Sequence, residues 1–274
     1  MQKPLMYIHD ITTLFSLLDD QLDKQGKEGR PSILTDSEVL TILLWNTFVL
    51  RKKHLKEMYH FVRYYHSSEF PKMPCYKNFV LHSHRLIPKL TSLLEASLKE
   101  GSIQIVDSTM IPVCKLERAR FHKVAKGVAT FGKNHQGWHY GFKFHATIND
   151  KGQLCSFYFT PASFYDAQAL PHLIRGEVRM MVGDGTYNAS VMRNKLWETY
   201  KVYILAPPHP KQKKKILSKW QYKLLRGRTK IEAMFDYLKN HLNLVTSFPR
   251  SISGYFLNYL RNLLAYQMMV GGVS

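Results

Sequence analysis

The feature that most constrains this chain is a change in hydrophobic period about 100 residues from its start. Before that point apolar residues recur three or four positions apart, as Ile11, Leu14 and Leu18 do, which is typical of helices. After it, short apolar runs are separated by turn residues, which is typical of strands. The sequence therefore predicts a helical domain over residues 1–100 and a second domain over residues 101–274.

The first domain is expected to be a compact helical bundle. Thr35 and Glu38 have the spacing of a capping box, and an apolar run follows over residues 39–50. Further helices are expected over residues 55–65 and 78–98. A helix-turn-helix that contacts DNA and a packed bundle without DNA contact fit this pattern equally well.

The second domain contains short apolar runs that we predict to be strands. They lie at residues 103–107, 142–146, 154–159, 178–182 and 202–206. The turn over residues 149–152 joins the second and third runs into a hairpin, and helices follow the later runs. The expected fold class is α/β, with a helical bundle followed by a mixed five-stranded sheet that helices flank.

The charge of the chain indicates a polyanionic partner. The sequence contains 39 Lys and Arg against 20 Asp and Glu, a net charge of +19, and residues 101–274 alone contribute 25 basic and 9 acidic residues. Such an excess is typical of nucleic-acid binding. The three cysteines form no CxxC pair, and no signal peptide or membrane-length apolar run is recognised. We therefore expect a cytoplasmic protein that lies on the nucleoid and has no membrane partner.

Three of the nine acidic residues in the second domain stand out by position. Asp107 ends the first predicted strand, Asp184 follows the fourth, and Glu232 lies in a late helix. Each alone has an ordinary explanation as a cap, a turn residue or part of a solvated helix face. Together they can meet where strand ends and a helix face adjoin, and carboxylates that close together suit Mg²⁺ or Mn²⁺.

These residues resemble a known family. Asp107 in Val-Asp-Ser-Thr, Asp184 in Gly-Asp-Gly-Thr-Tyr, and the spacing Arg228-x3-Glu232-x6-Lys239 are similar to the DDE transposases of bacterial insertion sequences. That spacing matches the last three letters of the YREK signature of one branch, whereas the position of its Tyr is Leu225. The similarity covers about residues 101–270 and includes residues 137–145, Asp166 and residues 263–266.

The resemblance implies an RNase H-like catalytic core and a transposase activity. Asp107, Asp184 and Glu232 would be the catalytic residues and the ligands of two Mg²⁺ or Mn²⁺ ions. Water would cleave double-stranded DNA at the terminal inverted repeats of the transposon, and the released 3′-hydroxyl would attack target DNA. Residues 1–100 would bind the DNA ends, and a homodimer would hold two of them. A related nuclease without strand transfer and a domesticated DNA-binding protein without catalysis are the alternatives.

Basic residues near the carboxylates are candidate DNA contacts. Arg228 and Lys239 share a helix with Glu232, where they either contact phosphates or form surface ion pairs. A segment that follows the first strand is expected to be a basic, mobile arm that orders on DNA or a solvated loop. Its candidate contacts are Lys115, Arg118, Arg120, Lys123, Lys126 and Lys133, and a later cluster adds Lys213, Lys214 and Lys215.

Other polar residues of the second domain have less specific interpretations. We predict Asp166 to be a helix N-cap, with the orientation of a neighbouring site residue as the alternative. His135, His139 and His145, with Trp138, are expected to pack in the fold or to contact DNA. A zinc site is disfavoured, because phosphoryl transfer on hard metal ions requires no imidazole.

Overall fold

The computed structural model describes residues 10–22, 32–208 and 216–271. The chain divides into two compact units, of which the first comprises Met1–Ser97 and Asn240–Ser274 and the second Leu98–Lys239. The predicted basic cluster of Lys213, Lys214 and Lys215 lies outside the described residues.

Apart from one additional strand and two predicted helices that are each divided in two, helices and strands follow one another in the predicted order. The α-helices are α1 Ile11–Gln21, α2 Asp36–Phe48, α3 Leu55–Tyr65, α4 Tyr76–Arg85, α5 Ile87–Ser97, α6 Asp166–Leu173, α7 Ser190–Tyr200, α8 Lys219–Arg226, α9 Thr229–Asp236 and α10 Ile252–Gly271. The strands are β1 Ile103–Pro112, β2 Thr130–Asn134, β3 Gly137–Ile148, β4 Leu154–Pro161, β5 Met180–Val182 and β6 Tyr203–Leu205. Short 3₁₀-helices cover Leu116–Phe121 and Gly185–Tyr187, and a π-helical turn covers Tyr237–His241.

The first unit is a helical bundle around α2. Thr35 and Glu38 form the predicted capping box at the start of α2. That helix is buried on nearly all sides, because α1, α3, α4 and α10 all pack against it. We placed the last helix in the second domain, but α10 packs against α5 and α2 of the first unit. The hydrophobic period of α10 does not indicate which helices it packs against, because that choice depends on tertiary structure.

A buried arginine joins the helices of the first unit. The guanidinium of Arg261 on α10 donates a hydrogen bond of 2.8 Å to Oγ1 of Thr47 and one of 2.7 Å to Oδ1 of Asn258. Burial lowers the pKa of Arg261 to about 10. Its neutral acceptors supply the hydrogen bonds that a charge removed from water requires.

The second unit is built on one mixed sheet, as predicted. The strand order is β2-β3-β1-β5-β6, and β4 pairs with β3 as well. The strand β1 runs antiparallel to β3 and parallel to β5, and β5 runs parallel to β6. The fold class is confirmed: helices followed by a mixed, curled sheet with flanking helices, consistent with an RNase H-like fold.

The sheet has a sixth strand that the sequence analysis did not predict. Residues of β2 pair with the start of β3, from Thr130 opposite Gly141 to Asn134 opposite Gly137. The residues of β2 lack the alternating apolar pattern that predicts a strand, because only Gly132 among them is buried. The segment that was expected to be a basic arm or a solvated loop contains regular structure, namely a 3₁₀-helix over Leu116–Phe121 and the strand β2.

The core of the second unit lies between the parallel strands and two helices. Val106 of β1, Met181 of β5 and Ile204 of β6 pack with Leu170 of α6 and Leu196 of α7. The parallel ladder from Ile103 opposite Met180 to Ile105 opposite Val182 sets the register of β1 and β5. In the part of the chain that the structure describes, no helix has both the length and the apolar composition to cross a membrane.

Candidate active site

Two of the predicted carboxylates lie beyond the same strand pair. In the parallel ladder Ile105 of β1 pairs with Val182 of β5. Asp107 and Asp184 each follow that pair by two residues, and side chains two residues apart on a strand share a face. The sequence placed Asp107 at the end of its strand, whereas β1 continues to Pro112 because Asp107–Pro112 pairs with β3. The register therefore brings Asp107 and Asp184 to one edge of the parallel ladder.

Asp107 is the most perturbed carboxyl of this site. Its side chain is 18% exposed, and burial raises its pKa to about 6. The backbone N–H of Ser108 donates a hydrogen bond of 2.8 Å to Oδ1 and, like Arg228, opposes that rise. The charges of Asp184 and Asp166 raise the pKa further. The carboxyl group of Asp107 is thus close enough to those of Asp166 and Asp184 to be repelled by both.

Asp184 is held by the short helix that follows it. Its Oδ1 accepts a hydrogen bond of 2.8 Å from the backbone N–H of Thr186 and another from the Thr186 hydroxyl. A Cβ atom at Gly183 would lie 2.6 Å from the ring of Tyr187 and 3.1 Å from Val106. Only glycine fits in that position, so this close packing determines where Asp184 emerges from β5.

Tyr187 lies beneath the three carboxyl groups. The side chain is fully buried. Burial raises the pKa of its hydroxyl well above the ordinary value, and the charges of Asp166, Asp107 and Asp184 add to that rise. The hydroxyl therefore stays neutral, and its buried ring packs next to the carboxyl groups.

An arginine connects Glu232 to Asp107. Nη2 of Arg228 lies 3.8 Å from Oδ2 of Asp107 and 4.0 Å from Oε1 of Glu232. The predicted continuous helix is two helices, α8 and α9, interrupted at Gly227 and Arg228. Arg228 thus forms the ion pair with Glu232 that was the alternative to phosphate contact, and it also faces Asp107.

Lys239 lies in different surroundings from Arg228. Burial lowers its pKa, which the charge of Asp236 partly offsets. Burial lowers the pKa of His139, and Lys239 lowers it further, so these two side chains are neighbours. The structure therefore places Lys239 beside the start of β3, and its DNA contact stays a prediction.

Asp166 differs from its predicted role as an N-cap. It is the first residue of α6, and Tyr165 before it is the cap. Its Oδ1 accepts a hydrogen bond of 2.7 Å from Oγ of Ser108 and lies 3.1 Å from Nζ of Lys143. The N-cap prediction is wrong. The contacts instead match the alternative, since Ser108 is the neighbour of Asp107.

Two residues of this cluster were missed from sequence. Lys143 alternates with apolar residues in β3, which alone would place it in solvent. It is buried because α6 packs on that face, and its ammonium donates a hydrogen bond of 2.7 Å to the carbonyl of Phe164. No local sequence pattern indicated a role for Ser108, because that role depends on its contact with Asp166, which lies far along the chain.

His139 and His145 have different surroundings. His145 is fully buried, and its Nε2 lies 2.9 Å from Oγ1 of Thr160. Burial lowers the pKa of His145 to about 4, against the opposing charge of Asp166. Nε2 of His139 lies 3.0 Å from Oδ1 of Asn134 at the β2–β3 turn. The expectation that His145 packs in the fold is confirmed.

The basic residues that follow β1 are exposed. They lie at the N-cap of the 3₁₀-helix, within that helix, in the turns after it and on β2. The members are Lys115, Arg118, Arg120, Lys123, Lys126 and Lys133. Their contact with DNA stays a prediction.

The carboxylates suit hard divalent ions in part. Asp107 and Asp184 supply oxygen ligands, and their mutual repulsion is what a bound cation would relieve. Across residues 10–22, 32–208 and 216–271, however, no three His, Cys, Asp or Glu side chains converge on one point that could hold an ion. Asp107 and Asp184 are therefore the candidate metal ligands, whereas the side chain of Glu232 contacts Arg228.

Comparison with known proteins identifies the family of this chain. Residues 97–252 match the family model described as transposase DDE domain, and that range contains all three predicted carboxylates. No curated protein matches the chain. The family match implies a transposase, an enzyme that acts on DNA. Because the match covers more than half of the sequence, the chain belongs to the transposase DDE domain family.

Proposed function

We propose that this protein is a DNA transposase that hydrolyses phosphodiester bonds at transposon ends and transfers the resulting strands into target DNA. The observation that carries the proposal is the register of the parallel ladder, which sets Asp107 and Asp184 two residues beyond one strand pair. Glu232 is the third carboxylate of the proposed site, and Arg228 contacts both it and Asp107. On the spacing of Arg228, Glu232 and Lys239 we assign the protein to the YREK branch of insertion-sequence transposases.

Asp107, Asp184 and Glu232 would hold two Mg²⁺ or Mn²⁺ ions. Such a pair of ions supplies stabilisation of the attacking and leaving oxygens in a displacement at phosphorus. The protein's own part is to orient these ligands. Thr186 fixes the carboxylate of Asp184, and the Ser108 N–H and Arg228 fix that of Asp107.

Basic residues other than Arg228 would bind DNA. The exposed basic residues that follow β1 suit the phosphates of double-stranded DNA at the terminal inverted repeats and in the target. Joining two transposon ends requires both ends to be held together, so we propose a homodimer. The helical bundle of the first unit would bind the ends.

The proposal is tested by cleavage of DNA that contains the gene's own flanking sequences. Wild-type protein with Mg²⁺ or Mn²⁺ is expected to leave 3′-hydroxyl ends and to join them to a labelled target duplex. Asp107→Asn, Asp184→Asn and Glu232→Gln are each expected to abolish cleavage while DNA binding persists. Glu198→Gln, at an exposed acid on α7, is the matched control and should cleave as wild type does.

Other outcomes assign the alternatives. Cleavage without joined products would make the protein a nuclease of the same fold. Binding without cleavage in any divalent metal would make it a DNA-binding protein that has no catalytic activity.

A further inference from the structure

The second unit has an open aromatic cleft that the proposed catalytic residues do not use. Its volume is about 720 Å³, and it is lined by Leu116, Glu117, Arg120, Phe121, Phe131 and Trp138. Phe121 is 81% exposed, Trp138 55% and Phe131 45%. Large apolar side chains that cluster in contact with water are typical of binding sites.

The β2–β3 hairpin builds one wall of the cleft. Lys133 pairs with Trp138 and Phe131 pairs with Tyr140 across the two strands. Because alternate residues share a face, these four side chains lie on the same side of the hairpin. On the other side a Cβ at Gly132 would lie 2.3 Å from the carbonyl oxygen of Ala162, so the hairpin is packed tightly there. The aromatic wall is therefore a preformed surface.

The charges around the cleft favour a nucleic acid. From Lys115 to Trp138 the sequence has six basic residues and the single acid Glu117. The ammonium of Lys133 lies 5.9 Å from the ring centroid of Trp138. Aromatic faces beside cations are the arrangement that holds single-stranded nucleic acid, with bases stacked on the rings and phosphates on the basic side chains.

The residues that line the cleft favour a base over a phosphate as its ligand. Its aromatic and leucine side chains suit the apolar face of a base, and Glu117 would repel a phosphate but can accept hydrogen bonds from base N–H groups. Arg120 and Lys133 are exposed at the cleft, where the phosphates of the same strand would pass.

The cleft is remote from the carboxylates along the sheet. Ala146 of β3 pairs with Asp107, and Trp138 lies eight residues away on the same strand. At a rise of about 3.3 Å per residue, Trp138 and the level of Asp107 are separated by about 26 Å along β3. A base in the cleft would thus lie several nucleotides from the phosphate that is cut.

We propose that this cleft binds an unpaired nucleobase of the DNA substrate, stacked against Trp138 and Phe121. The inference rests on the proposed function for the identity of the substrate as DNA. It adds that the protein holds a locally unpaired strand at a second place, outside the catalytic carboxylates.

Fluorescence anisotropy with the full-length protein tests this inference. A fluorescein-labelled single-stranded dT oligonucleotide and a blunt duplex are titrated in EDTA, which prevents cleavage. Trp138→Ala is expected to weaken single-strand binding by about 5- to 100-fold and to leave duplex binding close to wild type. Trp138→Phe keeps an aromatic face and should restore most of the affinity. Trp197→Ala is the matched control, because Trp197 in the same unit is also 55% exposed.

The outcomes separate this inference from the proposed function. Equal single-strand affinity for Trp138→Ala and Trp197→Ala would overturn the inference even if the wild-type enzyme cuts DNA. A change of oligomeric state in Trp138→Ala at unchanged DNA affinity would also overturn it, since the cleft would then bind a second copy. Loss of single-strand binding in Trp138→Ala supports it, even if the wild-type protein never cuts.

Discussion

Nη2 of Arg228 lies 3.8 Å from Oδ2 of Asp107, which joins the interrupted helical segment before α9 to the central strand of the sheet. The same atom lies 4.0 Å from Oε1 of Glu232. One guanidinium therefore lies within ion-pair distance of two carboxylates and offsets part of their negative charge. We therefore expect Arg228 to orient the carboxylates of Asp107 and Glu232, in addition to the phosphate contact proposed for it.

Replacement of Arg228 is expected to affect the chemical step more than binding. Arg228→Gln should lower the rate of cleavage of bound DNA by about 10- to 100-fold, as loss of groups that orient metal ligands does. The measurement is a single-turnover cleavage rate beside the dissociation constant for the same DNA. Arg226→Gln, at an exposed arginine on α8, controls for loss of general positive charge. A variant that binds DNA weakly but cleaves it at the normal rate would assign Arg228 to phosphate contact alone.

Asp166→Asn is expected to lower both stability and activity. The variant leaves the buried ammonium of Lys143 without its carboxylate, which costs about 3 kcal/mol. It also weakens the hydrogen bond that holds Ser108 beside Asp107, so cleavage should fall by about 10- to 100-fold. Urea unfolding and single-turnover cleavage measure the two effects.

Lys143→Met together with Asp166→Asn separates these effects. The double variant removes the buried charge and should recover stability, while cleavage stays low because Ser108 still lacks its carboxylate acceptor. Glu177→Gln, at an exposed acid, is the control for charge alone. Full cleavage by the double variant would show that Asp166 acts only on stability.

The glycines on either side of Asp184 are expected to differ sharply. A methyl group at Gly183 would meet Tyr187 and Val106, so Gly183→Ala should lower the free energy of unfolding by about 1–3 kcal/mol. Gly185→Ala has open space and should change stability by no more than about 0.5 kcal/mol. Thermal or urea unfolding of the two variants checks the difference. Similar losses at both positions would contradict the close packing at Gly183.

Cysteine reactivity is expected to distinguish the buried Cys155 from the exposed Cys75. Burial raises the pKa of Cys155 on β4 to about 12, so at pH 8 only about one thiol in ten thousand is ionised. Because the thiolate is the reactive form, Cys155 should resist Ellman's reagent until the pH approaches 12 or the protein unfolds. The exposed Cys75 should react at once. Cys75→Ser identifies its signal, and rapid reaction of Cys155 in folded protein would contradict its burial.

Local features were predictable because they depend on neighbours in the chain. The capping box of Thr35 and Glu38 requires two residues one turn apart, and it is present as predicted. The α/β fold class follows from the change of hydrophobic period. By contrast, the short strand β2 has almost no apolar pattern, and it exists because β3 offers it a pairing edge.

The sequence alone determined the acids, their approximate places at strands and a helix, and the basic character of the second unit. Tertiary structure decided which groups meet. The ladder register sets Asp107 beside Asp184, and Arg228 turns towards Asp107 and Glu232. Asp166 binds Ser108 and Lys143 and does not cap its helix. These contacts join residues far apart along the chain, and hydrophobic periodicity reports only the local face of each element, so no local pattern could specify them.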